Sequence, residues 1–188
     1  MARWEPNARG RLRDAAMDLY AERGYEQTTV ADIAERAGLT ARTFFRHFAD
    51  KREVLFGGSL QLEELMVAAA EAVPADAPPM RAVIAALEAT AEPLGQDQPH
   101  SRRRQALITA TPELQERELI KLATLSAALG AALRRRGVPE PEASLAAETG
   151  IAVFRVAWER WLDAGEERPL ADVIREAVGR FETLVAAA

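Results

Sequence analysis

Apolar residues in this chain recur at intervals of three and four, the spacing of one face of a helix. Leu12, Ala15, Ala16, Leu19 and Tyr20 form the first such stripe and Gly24 stops it, predicting a helix from about 8 to 23. In Thr29-Val30-Ala31-Asp32 a hydroxyl cap is followed three residues on by an acid, which opens a second, short helix ended by Gly38. Gly38-Leu39-Thr40 turns the chain, and Thr40 caps a third helix through about His47. Asp50-Lys51-Arg52-Glu53 reads as a further capping box that opens a long fourth helix. That helix carries Leu60, Leu62, Leu65, Met66 and Ala69 as far as Pro74.

The remainder predicts five more helices. After the proline-rich break 74–79, a fifth spans about 79 to 92 with Val83, Ile84 and Leu87 inward. A loop over 93–99 places His100 outside any helix, and a sixth helix starts near Ser101. Thr111-Pro112-Glu113 supplies a cap, a proline at the first helical position and an acid. It opens a seventh helix with a Leu122, Leu125, Leu129, Leu133 stripe, closed by Arg134-Arg135-Arg136-Gly137. Pro139-Glu140-Pro141-Glu142 begins an eighth helix that ends near Gly165, and a ninth follows Arg168-Pro169 with Leu170, Val173, Ile174, Ala177, Val178, Phe181 and Leu184 inward. The fold class expected is all-α, with about nine helices.

Composition narrows the function. With 188 residues, 48% of them hydrophobic, the chain can bury a real core. Zero cysteines exclude disulfides, thiolate metal sites and cysteine nucleophiles. No apolar stretch is long enough for a signal peptide or a membrane span, so a cytoplasmic protein with no membrane partner is expected. The net charge of -5 argues against a nucleic-acid partner, yet it is unevenly placed. Residues 1–56 hold 10 Lys and Arg against 9 Asp and Glu, whereas 57–188 hold 14 against 20. The split predicts two jobs, with a domain over 1–50 and another over 51–188.

Two short helices joined by a tight glycine-containing turn describe a helix-turn-helix. On its second helix, Phe44 and Phe48 should pack inward with Ile33 and Leu39, leaving Arg42, Thr43, Arg46 and His47 on the opposite face. Such a helix can enter the major groove, where Arg bonds guanine edges and Thr and His offer further contacts. An ordinary solvated face is the competing explanation for the two arginines. Gly24-Tyr25, Thr28-Thr29-Val30-Ala31-Asp32-Ile33-Ala34, Ala37-Gly38-Leu39-Thr40, Thr43-Phe44-Phe45-Arg46-His47-Phe48 and Lys51 together resemble the TetR family of transcriptional regulators, in order and in spacing. The resemblance implies a repressor-like homodimer that binds a palindromic operator on double-stranded DNA and is released by a small effector. It further implies that Thr40, Arg42, Thr43, Arg46 and His47 meet bases or nearby backbone, and that Lys51 meets phosphate. Many members have Tyr where this chain has Phe45, so a phenolic donor to phosphate is missing and other donors must supply that contact. Arg9, Arg11 and Arg13 could reach phosphate or the minor groove, or form a frayed basic terminus.

The second domain is expected to hold the effector and the dimer contacts. Flexible Met66 and Met80 beside Leu-rich faces make an apolar cavity plausible, with Leu62, Leu65, Met66, Ile84, Leu87, Leu107, Leu122, Leu125 and Val153 as its lining; a tightly packed core is the alternative. Helix eight is apolar on more than one face, and Phe154, Trp158, Leu162, Ile174, Val178 and Phe181 are the expected contacts with a symmetry mate. The C-terminal run resembles an actinobacterial branch of the family with an acyl-CoA-like ligand domain. That resemblance implies an acyl chain among helices four to eight, with Arg102-Arg103-Arg104 facing a phosphate-bearing head group, against the ordinary reading of a solvated triplet. Neither a cofactor nor a metal site is expected. A phosphate loop, a Gly-x-Ser-x-Gly elbow and HExxH are all absent and only two histidines exist, which argues against an enzyme. A helical binding protein that keeps the helix-turn-helix shape without operator binding is the remaining rival.

Overall fold

A computed structural model of the protein describes residues 7–163 and 167–187. Among the described residues the regular elements are α1 (Ala8–Arg23), α2 (Val30–Arg36), α3 (Ala41–His47), α4 (Ser59–Ala72), α5 (Pro79–Leu94), α6 (Gln98–Ala110), α7 (Pro112–Arg135), α8 (Glu142–Leu162) and α9 (Leu170–Ala186). All are helices, as expected.

Local chemistry places most of the ends. Thr29 and Asp32 form both arms of a capping box on α2, and the Thr40 hydroxyl accepts from the Thr43 amide at the start of α3. Between them Gly38 sits at φ 65, a left-handed conformation that suits a residue without Cβ. Three boundaries differ from the sequence expectation. Asp50 does accept from the Arg52 and Glu53 amides, at 2.8 and 3.2 Å, but the chain then makes successive tight turns and α4 begins only at Ser59. Gly57-Gly58 explains the delay, since Gly58 at φ 108 cannot continue a helix. His100 lies in the first turn of α6, not in a loop: the Asp97 side chain accepts from its amide at 2.9 Å and starts the helix before Ser101. Likewise α5 continues to Leu94 with Pro93 in its last turn. For α8 the last helical residue is Leu162; Gly165 lies outside the described residues.

The chain forms two compact units. The first comprises residues up to Gly58 together with Arg102–Glu118, and the second comprises Ser59–Ser101 and Leu119 onward. This differs from a sequential division at residue 50, because the α6–α7 corner belongs with α1–α3. Ile108 and Leu114 from that corner are fully buried in one cluster with Leu12, Tyr20, Ile33 and Phe44. Arg104 completes the attachment. Its guanidinium donates to the Leu55 carbonyl at 2.7 Å, lies 3.5 Å from Glu118 and stacks on the Phe56 ring at 5.0 Å. Burial pulls its pKa down and Glu118 opposes the shift. Arg104 is thus held within the first unit, which removes it from the triplet considered for a phosphate head group.

The second unit has a separate core in which α5, α7, α8 and α9 meet through Val83, Leu87, Leu129, Leu133, Ala147 and Ile174. Gly150 allows the closest approach: a Cβ there would fall 2.4 Å from Val83 Cγ1. The start of α9 is tied to the end of α8 by Glu176, which accepts from Arg160 at 2.6 Å, Arg168 at 2.8 Å and Arg180 at 2.9 Å. These arginines hold the Glu176 carboxyl down at about 2, from an ordinary value near 4.5. A depressed carboxylate pKa gives stability that is present above the ordinary value and is lost as pH falls toward the depressed one. Urea unfolding at a series of pH values should therefore show wild type losing an increment of stability between pH 4.5 and about 2. Glu176→Gln should lack that increment, and equal acid limbs for the two proteins would contradict the assignment.

Candidate nucleic-acid interface

α3 has seven residues, and its direction is set by the one it buries. Phe44 is fully buried and tilts against Phe48 with ring centroids 5.6 Å apart. Successive side chains step about 100° around a helix. With Phe44 inward, Arg42 is therefore close to the outward direction and Phe45 and Arg46 flank it. All three are exposed. Thr43 and His47 fall nearer the buried side and are half-buried. The expected outward quartet is thus rearranged: Phe45 joins the exposed face, whereas Thr43 and His47 sit at its margin. His47 also has its Nε2 buried without a hydrogen-bond partner. Thr40 and Thr43 exchange a hydroxyl contact at 3.1 Å while Thr40 caps the helix.

Charge is distributed unequally over α1–α3 and the following turn. Arg23 pairs with Asp32, Arg36 with Glu22 through two bonds of 2.8 and 2.7 Å, and Arg52 with Asp50. Arg13 pairs with Asp14, Arg11 donates to the Ala37 carbonyl, and Arg9 lies over the Phe48 ring. Arg42 and Arg46 alone among these arginines make no hydrogen bond, ion pair or ring contact with described residues. Arg42 and Arg46 therefore place two unpaired positive charges on the exposed face of α3. The helper role considered for Arg9 and Arg11 competes with these internal contacts.

Lys51 turns inward. Its ammonium donates to the Tyr25 and Thr28 carbonyls at 2.9 and 3.2 Å and lies 4.1 Å from the Tyr25 ring centroid. Its own carbonyl accepts from the Tyr20 hydroxyl at 2.7 Å. Burial raises the Tyr20 phenol pKa well above its ordinary value and pushes Tyr25 up to about 12, so both stay protonated. Two of its three ammonium protons are thereby taken. Sequence spacing could not show this arrangement, because the partners are backbone carbonyls more than 20 residues away.

Comparison with known proteins agrees with this geometry. The family model for bacterial regulatory proteins of the tetR family matches residues 12–56, and the model for the MftR C-terminal domain matches residues 77–186. The chain belongs to the TetR family of transcriptional regulators. TcmR, an HTH-type transcriptional regulator of Streptomyces glaucescens, is 42% identical over 81 residues, which is 43% of this chain and 36% of TcmR. The chain thus aligns with well under two thirds of that relative's length. PfmR, a TetR family regulator from Thermus thermophilus, superposes with a TM-score of 0.51 at 27% identity, over 88% of this chain and 93% of its own. FadR from Bacillus subtilis, solved in complex with stearoyl-CoA, shares the fold at a TM-score of 0.63 and 19% identity, over 90% of this chain and 95% of its own.

In this TetR-family chain the effector and dimer candidates are distributed unevenly. Met66, Leu87, Leu125 and Val153 lie in the second unit's core, with Leu62, Ile84 and Leu122 packed against it. Leu107 packs instead against the first unit's core, to which its stretch of α6 belongs, and Leu65 is exposed. Among the dimer candidates, Ile174 is fully buried and Val178 nearly so within the chain's own core, which leaves them no surface to offer a partner. Phe154, Trp158, Leu162 and Phe181 are half-buried; Phe154 and Trp158 stack with centroids 6.0 Å apart. Val156 on α8 is 61% exposed, and Leu184, expected inward on α9, is 73% exposed. Among the described residues no group of three or more His, Cys, Asp or Glu could hold a metal, and no helix is long and apolar enough to cross a membrane. For the interface itself, Lys51→Ala should cost about 1–3 kcal/mol of stability by leaving two carbonyls short of a charged donor. An unchanged urea midpoint would mean that the ammonium is not holding the turn.

Proposed function

We propose that the chain is a ligand-responsive transcriptional regulator, a cytoplasmic homodimer that binds a palindromic DNA operator through α3 and is released by an apolar small molecule. The observation that carries the reading is the exposed pair Arg42 and Arg46, unpaired on a rigid helix whose neighbouring arginines are neutralised in place. In this reading Arg42 and Arg46 meet base edges or nearby phosphate. Thr40, Thr43 and His47 border them, Phe45 lies between, and the remaining proton of Lys51 serves phosphate. A regulator, not an enzyme, is what such a surface supports.

Two exposed helices fit a two-fold partner. Val156 on α8, which points away from the half-buried Phe154 and Trp158, would form with Leu184 on α9 an isologous contact with a second copy, as a palindromic site requires. The effector is placed among Leu62, Met66, Ile84, Leu87, Leu122, Leu125 and Val153, a wholly apolar set that suits an acyl chain of the kind FadR binds as stearoyl-CoA. Release then follows by linkage: an effector that binds better to a dimer with its recognition helices away from a spacing of roughly 34 Å empties the DNA-binding state.

With duplexes selected from a random pool, Arg42→Ala and Arg46→Ala should each cost about 1–3 kcal/mol of binding and relax base preference at a defined position. Equal losses on specific and unrelated DNA would contradict base reading. Native mass spectrometry should show the wild type as a dimer, whereas Val156→Glu combined with Leu184→Glu should give a folded monomer. A dimer persisting in that variant would rule out this face.

A further inference from the structure

One outward side chain of α3 is neither core nor charged. Phe45 is 58% exposed, the only exposed large hydrophobic among the first unit's described residues. Its ring is fixed edge-on to Phe44, with centroids 5.5 Å apart and planes at 82°, and Phe44 is itself fully buried. Arg42 precedes it by three residues, so helical geometry sets the ring beside one unpaired guanidinium, with that of Arg46 a single step of about 100° around the helix.

A duplex offers guanidinium groups phosphate oxygens and guanine edges. To a phenyl ring, the edges of the bases in the major groove offer one apolar group, the 5-methyl of thymine. We propose that Phe45 is a specificity residue that reads a thymine methyl in each operator half-site, beside the positions met by Arg42 and Arg46. The inference rests on the operator-binding reading above and extends it to a base. A ring without a hydroxyl has no polar atom to desolvate, so it can lie directly on a methyl group at no hydrogen-bonding cost. Phe in place of Tyr thereby exchanges a phosphate donor for an apolar reader. Rigidity matters here, because a ring already held by Phe44 gives up little further freedom on contact.

The test uses the full chain and duplexes it selects from a random-sequence pool. Each thymine of a selected half-site is replaced in turn by deoxyuridine, which lacks only the 5-methyl group. One position per half-site should weaken binding about threefold to tenfold, the scale of one buried methyl. Phe45→Ala, at an exposed position and checked by its unfolding midpoint, should bind the thymine duplex more weakly and be indifferent to deoxyuridine there. Arg42→Ala leaves the ring in place and should keep the methyl dependence on whatever affinity remains. The inference is overturned by methyl independence at every thymine, which would reduce Phe45 to a backbone contact, or by a methyl dependence that survives in Phe45→Ala. Failure to select any duplex would overturn the operator-binding reading as well, and it would appear before any deoxyuridine is introduced.

Discussion

A helix of seven residues does not persist on its own in water, since the cost of nucleating it exceeds what so few hydrogen bonds return. α3 exists because Phe44 is buried and Thr40 caps it, and everything said of its outer face follows from that burial. Once Phe44 is fixed, the pitch of the helix leaves no freedom in where Arg42, Phe45 and Arg46 point. Loss of the Phe44 ring would remove about 3–5 kcal/mol, comparable with the whole stability margin of a small unit. The same inward residue therefore sets both the fold of the unit and the chemistry it presents.

Much of this was legible in the sequence where the signal is local. The limits of α1 and the caps at Thr29 and Thr40 depend on residues within one turn of each other, and the sequence displays them directly. Where two local signals compete, the stronger steric one decides. Asp50 offers a cap, but Gly57-Gly58 interrupts the helix it would have opened. The outer face of α3 was legible only in part. Spacing by fours joins Arg42 to Arg46 but does not bring in Phe45, which only the resemblance to the family put at the DNA surface, and there as a phosphate contact lacking its donor.

Long-range contacts were not legible. Nothing near Arg104 in the chain signals the Leu55 carbonyl or the Phe56 ring, 49 and 48 residues away, so the triplet of arginines looked available for a ligand. The same holds for Lys51 and its two carbonyl partners. A charged side chain is a reliable surface marker only when its surroundings are known, because a guanidinium or ammonium can be drawn inward by carbonyls and aromatic faces that no motif records. Ile174 shows the converse. An apolar residue on an apolar helix face serves its own core first, and only an excess such as Val156 and Leu184 is left for a partner.

The acidic balance of the chain, -5 overall, does not oppose binding to a polyanion, because the field near α3 is local. At physiological salt the screening length is about 8 Å, so a phosphate against α3 responds to the charges beside it and hardly to the rest. A guanidinium tied to a carboxylate presents a dipole, which falls off faster than a charge. Arg23, Arg36 and Arg52 are tied in this way, and Arg42 and Arg46 are not. Exposed pairs of this kind add about 0–1 kcal/mol each to stability, so their larger effect is to remove competing positive sites. If α3 reads an operator as proposed, discrimination among sequences comes from base edges, where two unpaired arginines and an exposed ring are worth more than a broad basic surface.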